Sequence, residues 1–225
     1  MAYKSNIVKK PWGYEYLAYE NEFVGLWFLH ILHNQRTSMH CHPNKTTGLI
    51  NIDGEAEVSF LNDKFSLKPR HKLMIRKGLF HSTKATHERG AFVFEIETPK
   101  DKHDLVRFKD NYGREGKPYE DSTFEAPKPS ECLWITDPPA GEEAVYQFQN
   151  SEIRVKSIVH TDELKEIDDN TNIIFLRGGI MTDYDVNVAG PGDIVLCSVI
   201  KKLINVFKKI NEETVIMTVG VLDEQ

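Results

Sequence analysis

Chemistry is most concentrated at His40-Cys41-His42, with a third histidine, His81, well downstream. In an extended strand, residues two apart point to the same face, so the His40 and His42 imidazoles can reach one ion while Cys41 turns away. An antiparallel barrel can bring His81 alongside them. Three imidazoles with coordination positions left open make a catalytic style of metal site, because a closed four-ligand site leaves no room for substrate. Nitrogen ligands suit one divalent transition metal, Zn, Fe, Mn, Co or Ni, better than Mg or Ca. Glu95 and Glu97 lie on one face of an alternating run and are candidates for a general base or for a carboxylate ligand. Cys41 reads as a packed thiol. His30, His33, His71, His87, His103 and His160 read as surface or strand-edge residues.

The elements that must position these side chains are short strands separated by turn residues. Phe23 to His33 alternates, with Trp27, Leu29 and Ile31 on one face and Phe28, His30 and Leu32 on the other. Thr47 to Ile52 ends at Asp53-Gly54, a strong turn pair. Ala56 to Leu61 and Phe65 to Leu67 follow, and the three runs predict a meander. Leu73 to Ile75 is brief. Ala91 to Thr98 places Phe92, Phe94 and Ile96 opposite Glu95 and Glu97. From Pro99 to about Glu131 charged residues, Gly and Pro dominate, which predicts a connection. Strands resume at Ser151 to His160, Asn172 to Leu176, Ile194 to Cys197, Leu203 to Phe207 and Thr214 to Val219, with one short helix over Thr161 to Asp168 and Thr161 as its N-cap. The second half repeats the turn order of the first without histidines at the corresponding places. The expected organisation is a barrel at 1–115, a connection at 116–130 and a degenerate barrel at 131–225.

Composition narrows the classes. The chain has 225 residues, 40% hydrophobic and 28% charged, with a formal net charge of −6. That balance argues against a general nucleic-acid binder, which carries a basic excess. No apolar run approaches the roughly 20 residues that span a bilayer, and the first residues have no apolar signal core. Cys41, Cys132 and Cys197 are few, odd in number and far apart, as in a reducing cytoplasm.

The residues of both histidine segments resemble the two cupin motifs, H-x-H-x4-E-x6-G and P-x-G-x2-H. His40, His42, Gly54, Gly78 and His81 fall on motif positions, while Thr47 stands at the glutamate position and Arg76 at the proline position. Two flanking segments are more specific. Lys10-Pro11-Trp12-Gly13-Tyr14-Glu15 resembles the K/R-P-W-G start of the cupin domain of type II phosphomannose isomerases, which forms part of bifunctional mannose-1-phosphate guanylyltransferases. Asp104-Leu105-Val106-Arg107-Phe108-Lys109-Asp110-Asn111-Tyr112-Gly113-Arg114 resembles that domain's D-I-V-R-x-x-D-x-Y-G-R ending. The resemblance covers residues 9 to 114.

It implies an all-β cupin fold, a jelly-roll barrel, for the first half, and the repeated turn order extends the expectation to two tandem barrels with the second degenerate. It also implies a metal held by His40, His42 and His81, and a sugar or sugar-phosphate substrate. Arg107, Arg114 and Lys45 become candidates to hold a phosphate or sugar acid, Arg being suited by its planar fork. The expected function is a metal-dependent sugar-phosphate isomerase or epimerase acting through an enediol, with Glu95 or Glu97 as base. The alternatives are a non-catalytic sugar or nucleotide-sugar binding cupin and an Fe(II) dioxygenase. The expected setting is a cytoplasmic homodimer with no nucleic-acid or membrane partner.

Overall fold

The computed structural model describes residues 6–119, 123–126 and 132–222. The chain divides into two compact units. Unit 1 is Met1–Glu20 with Gly25–Trp134, and unit 2 is Asn21–Val24 with Ile135–Gln225. Residues 120–122 and 127–130 of the expected connection lie outside the described residues. Among the described residues no helix is long and apolar enough to cross a membrane.

Unit 1 contains β1 (Ile7–Lys10), β2 (Gly13–Glu20), β3 (Gly25–Ile31), β4 (Met39–Cys41), β5 (Thr46–Gly54) and β6 (Ala56–Ser59). It continues with β7 (Lys64–Leu67), β8 (Lys72–Ile75), β9 (Ser82–Ala85), β10 (Ala91–Thr98), β11 (Val106–Lys109) and β12 (Phe124–Glu125). One sheet runs β12-β1-β2-β3-β10-β5-β8. The facing strands β7-β6-β9 are joined to β4 by the His40↔His81 and Arg36↔Lys84 bridges, and β4 carries β11. Strands β3 to β10 therefore pair as nested couples: β3 with β10, β4 with β9, β5 with β8, β6 with β7. A long hairpin folded over in this way is a jelly roll.

This order corrects the expected meander. Of those three runs only β6 and β7 pair as a hairpin, while β5 pairs with β10 and β8 in the other sheet. The chain crosses between sheets at Gly54, whose φ is +70° and where an added Cβ would lie 2.1 Å from the Gly90 carbonyl oxygen. Only glycine fits that crossing. Strands β3 and β10 are buried on both faces, so both of their residue sets are largely apolar. Trp27, Leu29, Ile31 and Val93 join the barrel core with Leu49, Val58 and Ile75. On the opposite face Tyr16 stacks on Phe28 at 4.9 Å, and Phe28 meets Phe94 edge-on at 5.7 Å.

Unit 2 contains β13 (Glu143–Phe148), β14 (Ser151–Ile158), a 3-10 helix (Thr161–Lys165), β15 (Asn172–Arg177), β16 (Ile180–Met181), β17 (Asn187–Ala189) and β18 (Ile194–Leu196). Helix α1 (Cys197–Val206), β19 (Lys209–Ile210) and β20 (Thr214–Val221) complete it. Its sheets, β13-β14-β20-β15-β18 and β17-β16-β19, repeat the orders β2-β3-β10-β5-β8 and β7-β6-β9 of unit 1. Strands β14, β20, β15 and β18 stand for β3, β10, β5 and β8, and β19, β16 and β17 stand for β9, β6 and β7. Among the described residues β1, β4, β11 and β12 have no counterpart, and at the place of β4, the histidine-bearing strand, the chain forms the 3-10 helix. The second barrel is thus degenerate at the element that carries chemistry in the first. Its interior is filled by Leu164, Phe175, Ile180, Ile200, Ile204 and Ile216, all 3% exposed or less.

Two local expectations change here. Leu203 to Phe207 is not a strand, because its first four residues close α1. Cys197, Ile200 and Ile204 are buried at helical spacing, a period hidden by the lysines Lys201 and Lys202 and by the β-branched neighbours. The helix expected over Thr161 to Asp168 is a 3-10 turn capped at His160 rather than Thr161. The Glu163 carboxylate accepts the Val159 and His160 N–H groups, both at 2.9 Å.

Candidate metal and substrate site

The three histidines are brought together by main-chain pairing. His40 N–H donates to the His81 carbonyl at 3.0 Å and His81 N–H donates back at 2.8 Å. His42 follows β4 directly and shares the His40 face. Ring centroids are 4.4 Å apart for His40 and His81, 4.9 Å for His40 and His42, and 5.5 Å for His42 and His81.

Each ring has the same hydrogen-bond logic. The Nδ1 of His40 lies 2.8 Å from the Ser38 carbonyl, that of His42 2.6 Å from the Asp104 carbonyl, and that of His81 3.0 Å from the Leu79 carbonyl. A carbonyl only accepts, so each Nδ1 carries the proton and each Nε2 keeps its lone pair. The Nε2 atoms of His42 and His81 are buried with no hydrogen-bond partner among the described residues. An unsatisfied buried acceptor costs about 1–3 kcal/mol. Burial pushes the ring pKa of His42 down to about 3 and of His81 to about 4, with Lys45 adding to both, and burial with the neighbouring rings takes His40 well below the usual range. All three are neutral at physiological pH, the form that binds metals. One ligand atom from each lies within 4.8 Å of the others. The donor set, its protonation and its orphaned nitrogens fit a metal ion.

Thr47, at the motif glutamate position, is 1% exposed, and its hydroxyl has no partner among the described residues. In the sheet register it lies directly opposite Glu97. Both Glu95 and Glu97 point into the pocket from β10, and with His42 they form a second group within 4.8 Å. His42 therefore belongs to both groups.

The two carboxylates differ in their partners. Glu97 accepts Lys45 Nζ at 2.7 Å and lies 3.6 Å from Lys102 Nζ. Burial opposes its ionisation, but Lys102 and Lys45 win and hold its pKa down to about 2. Glu95 makes no hydrogen bond or ion pair among the described residues. Burial, opposed by Lys102 and assisted by Glu97 and Glu15, pushes its pKa up to about 7.

A wall of charge that the sequence reading passed over completes the pocket. Lys102 Nζ lies 3.4 Å from Glu15 and 3.7 Å from the Trp27 ring centroid, with its side chain 7% exposed. Lys10 Nζ lies 3.8 Å from Glu15 and 3.8 Å from the Tyr119 ring centroid. The Tyr119 hydroxyl donates to Glu15. The available signal was Glu15 itself, a lone acid in the apolar stretch Tyr14 to Ala18. Its partners come from β1 and from the segment after β10, so local pattern could not supply them. The pocket holds about 470 Å³, part of it open to solvent.

Lys45, Arg107 and Arg114 all line this pocket, yet each is already engaged. Lys45 is committed to Glu97 and to the Asp101 carbonyl at 2.8 Å. Arg107 Nη1 donates to the Lys117 and Pro118 carbonyls, both at 2.7 Å. Arg114 grips the Asp110 carboxylate through Nε at 3.0 Å and Nη2 at 2.7 Å. Its fork props the segment after β11. Breaking a buried pair costs about 3–5 kcal/mol because the remaining charge is stranded. Arg114→Met is therefore expected to lower the unfolding free energy of unit 1 by about that amount, read by urea denaturation. An unchanged midpoint would show that the pair carries no net stability.

No family model and no curated protein matches the chain. Solved structures do. A double-stranded β-helix protein from Klebsiella pneumoniae is 16% identical with a TM-score of 0.40, over 43% of this chain and 84% of that one. KdgF from a Halomonas species is 13% identical with a TM-score of 0.39, over 41% and 84%. A sugar phosphate isomerase of the cupin superfamily from Silicibacter pomeroyi is 9% identical with a TM-score of 0.39, over 42% and 64%. The nested strand order itself makes unit 1 a jelly-roll barrel, with its three histidines gathered where β4 meets β9.

Proposed function

We propose that unit 1 is a metal-dependent sugar-phosphate isomerase or epimerase that works through an enediol. The observation that carries this reading is one arrangement: three neutral imidazoles that each bring a ligand nitrogen to a common point, with Glu95, which makes no hydrogen bond or ion pair among the described residues, beside His42. His40, His42 and His81 would hold one divalent transition ion. When bound, such an ion polarises a carbonyl oxygen and stabilises negative charge developing on it.

The chain's own residues do the rest. Glu95 removes the proton from the hydroxyl-bearing carbon next to the carbonyl and returns it to the former carbonyl carbon in an isomerisation, while the hydroxyl proton passes to the former carbonyl oxygen, or to the opposite face of the same carbon in an epimerisation. Glu97, held ionised by Lys45 and Lys102, keeps those two ammonium groups fixed. Lys102, Lys10 and Arg107 give the wall a positive character that suits an anionic sugar. Trp12, Leu29 and Tyr119 line its apolar side.

The test is proton exchange. The metal-loaded protein is incubated in D2O with mannose 6-phosphate, then with fructose 6-phosphate, and followed by NMR. Interconversion with deuterium entering at the carbon beside the carbonyl is expected. Oxygen uptake with a sugar substrate would instead establish the dioxygenase alternative. Saturable binding of these sugars with neither exchange nor oxygen uptake would make the unit a sugar-binding module and overturn the proposal.

A further inference from the structure

Asp104 has two separate holds on the pocket. Its backbone carbonyl accepts the His42 Nδ1 proton at 2.6 Å. Its carboxylate closes the loop between β4 and β5: Oδ2 accepts Asn44 N–H at 2.8 Å and Lys45 N–H at 3.1 Å, and Oδ1 accepts the Asn44 side-chain amide at 2.9 Å. The residue is 7% exposed. It lies in the segment after β10, far along the chain from the loop it clasps. That loop carries His42 at one end and Lys45 at the other.

We propose that Asp104 is a positioning residue for the histidine site. Its carboxylate fixes the loop backbone, and its carbonyl fixes the tautomer and aim of His42. The inference rests on the reading of the histidines as metal ligands. A ligating histidine needs its second nitrogen held, and loss of such a hold weakens metal binding by about 10–100-fold. In Asp104→Asn one acceptor oxygen becomes an amide facing N–H donors. The loop then lets go, the segment drifts, and the carbonyl leaves His42.

The experiment measures zinc affinity by chelator competition on the full chain, with 15N NMR of the histidine rings in the metal-free protein. Wild type is expected to bind zinc and to show His42 protonated on Nδ1. Asp104→Asn is expected to bind zinc about 10–100-fold more weakly, with the His42 signal averaged between tautomers. A purely structural role would lower the melting temperature without moving that signal. Asn44→Ala removes only the Oδ1 contact and keeps the test open if Asp104→Asn fails to fold. It is expected to weaken zinc about fivefold, the loss of one hydrogen bond. If wild type binds zinc and both variants match it, the inference is wrong and the histidine reading stands. If wild type binds no zinc, the histidine reading fails and takes the inference with it.

Discussion

His42→Ala is expected to abolish metal retention while leaving unit 1 folded. Wild type, purified without added metal, should carry close to one equivalent of a transition ion by elemental mass spectrometry, and the variant none. His42 is the telling choice because it is shared between the triad and the Glu95 and Glu97 group. Metal-free, its Nε2 is a buried acceptor without a partner among the described residues, a penalty of about 1–3 kcal/mol. Alanine removes that penalty but leaves a small cavity and takes the His42 donor from the Asp104 carbonyl, and these effects partly offset. The metal-free melting temperatures should therefore be close. With metal at about a hundred times its dissociation constant, wild type gains about 2.7 kcal/mol. For a chain of this size that is a rise of roughly 5–10 °C, which a chelator should reverse. His42→Ala should show no chelator effect. A variant that keeps both the ion and the chelator shift would place the ion elsewhere.

Which parts of this architecture a linear reading can reach follows from the range of the interactions. Alternation over Ala91 to Thr98 reports a strand, and β10 spans those residues, because one backbone period sorts Phe92, Phe94 and Ile96 from Glu95 and Glu97. Pairing is different. Asp53-Gly54 has the composition of a hairpin turn, yet the chain there changes sheets, packed against Gly90, which is distant along the chain and leads into the neighbouring strand β10. The His-x-His spacing is local and legible. The bonds that orient the rings are not: the acceptor for His42 is Asp104, and the partners of Lys45 are Glu97 and Asp101. The arginines illustrate the same limit. Type and motif made Arg114 a phosphate fork, whereas Asp110, four residues away, takes that fork in the fold.

Glu95→Gln is expected to reduce sugar-phosphate proton exchange by about 10²–10⁴-fold while metal content stays at the wild-type level. Glutamine keeps the shape of the side chain and cannot accept a proton. Its cost to stability should be small, because Glu95 holds no lysine. The adjacent acid provides the control. Glu97→Gln strips Lys45 of its 2.7 Å partner and Lys102 of one of its two carboxylates, so stranded buried ammonium groups should destabilise unit 1 by about 3–5 kcal/mol. The pair of variants therefore separates two roles that one strand face presents side by side. Lost exchange with an intact melting curve belongs to Glu95, and a lowered melting curve belongs to Glu97. If Glu95→Gln exchanges protons at the wild-type rate, the base is another group. Glu15 would then be the next candidate, since it is the remaining carboxylate that lines the pocket among the described residues, on β2 of the same sheet.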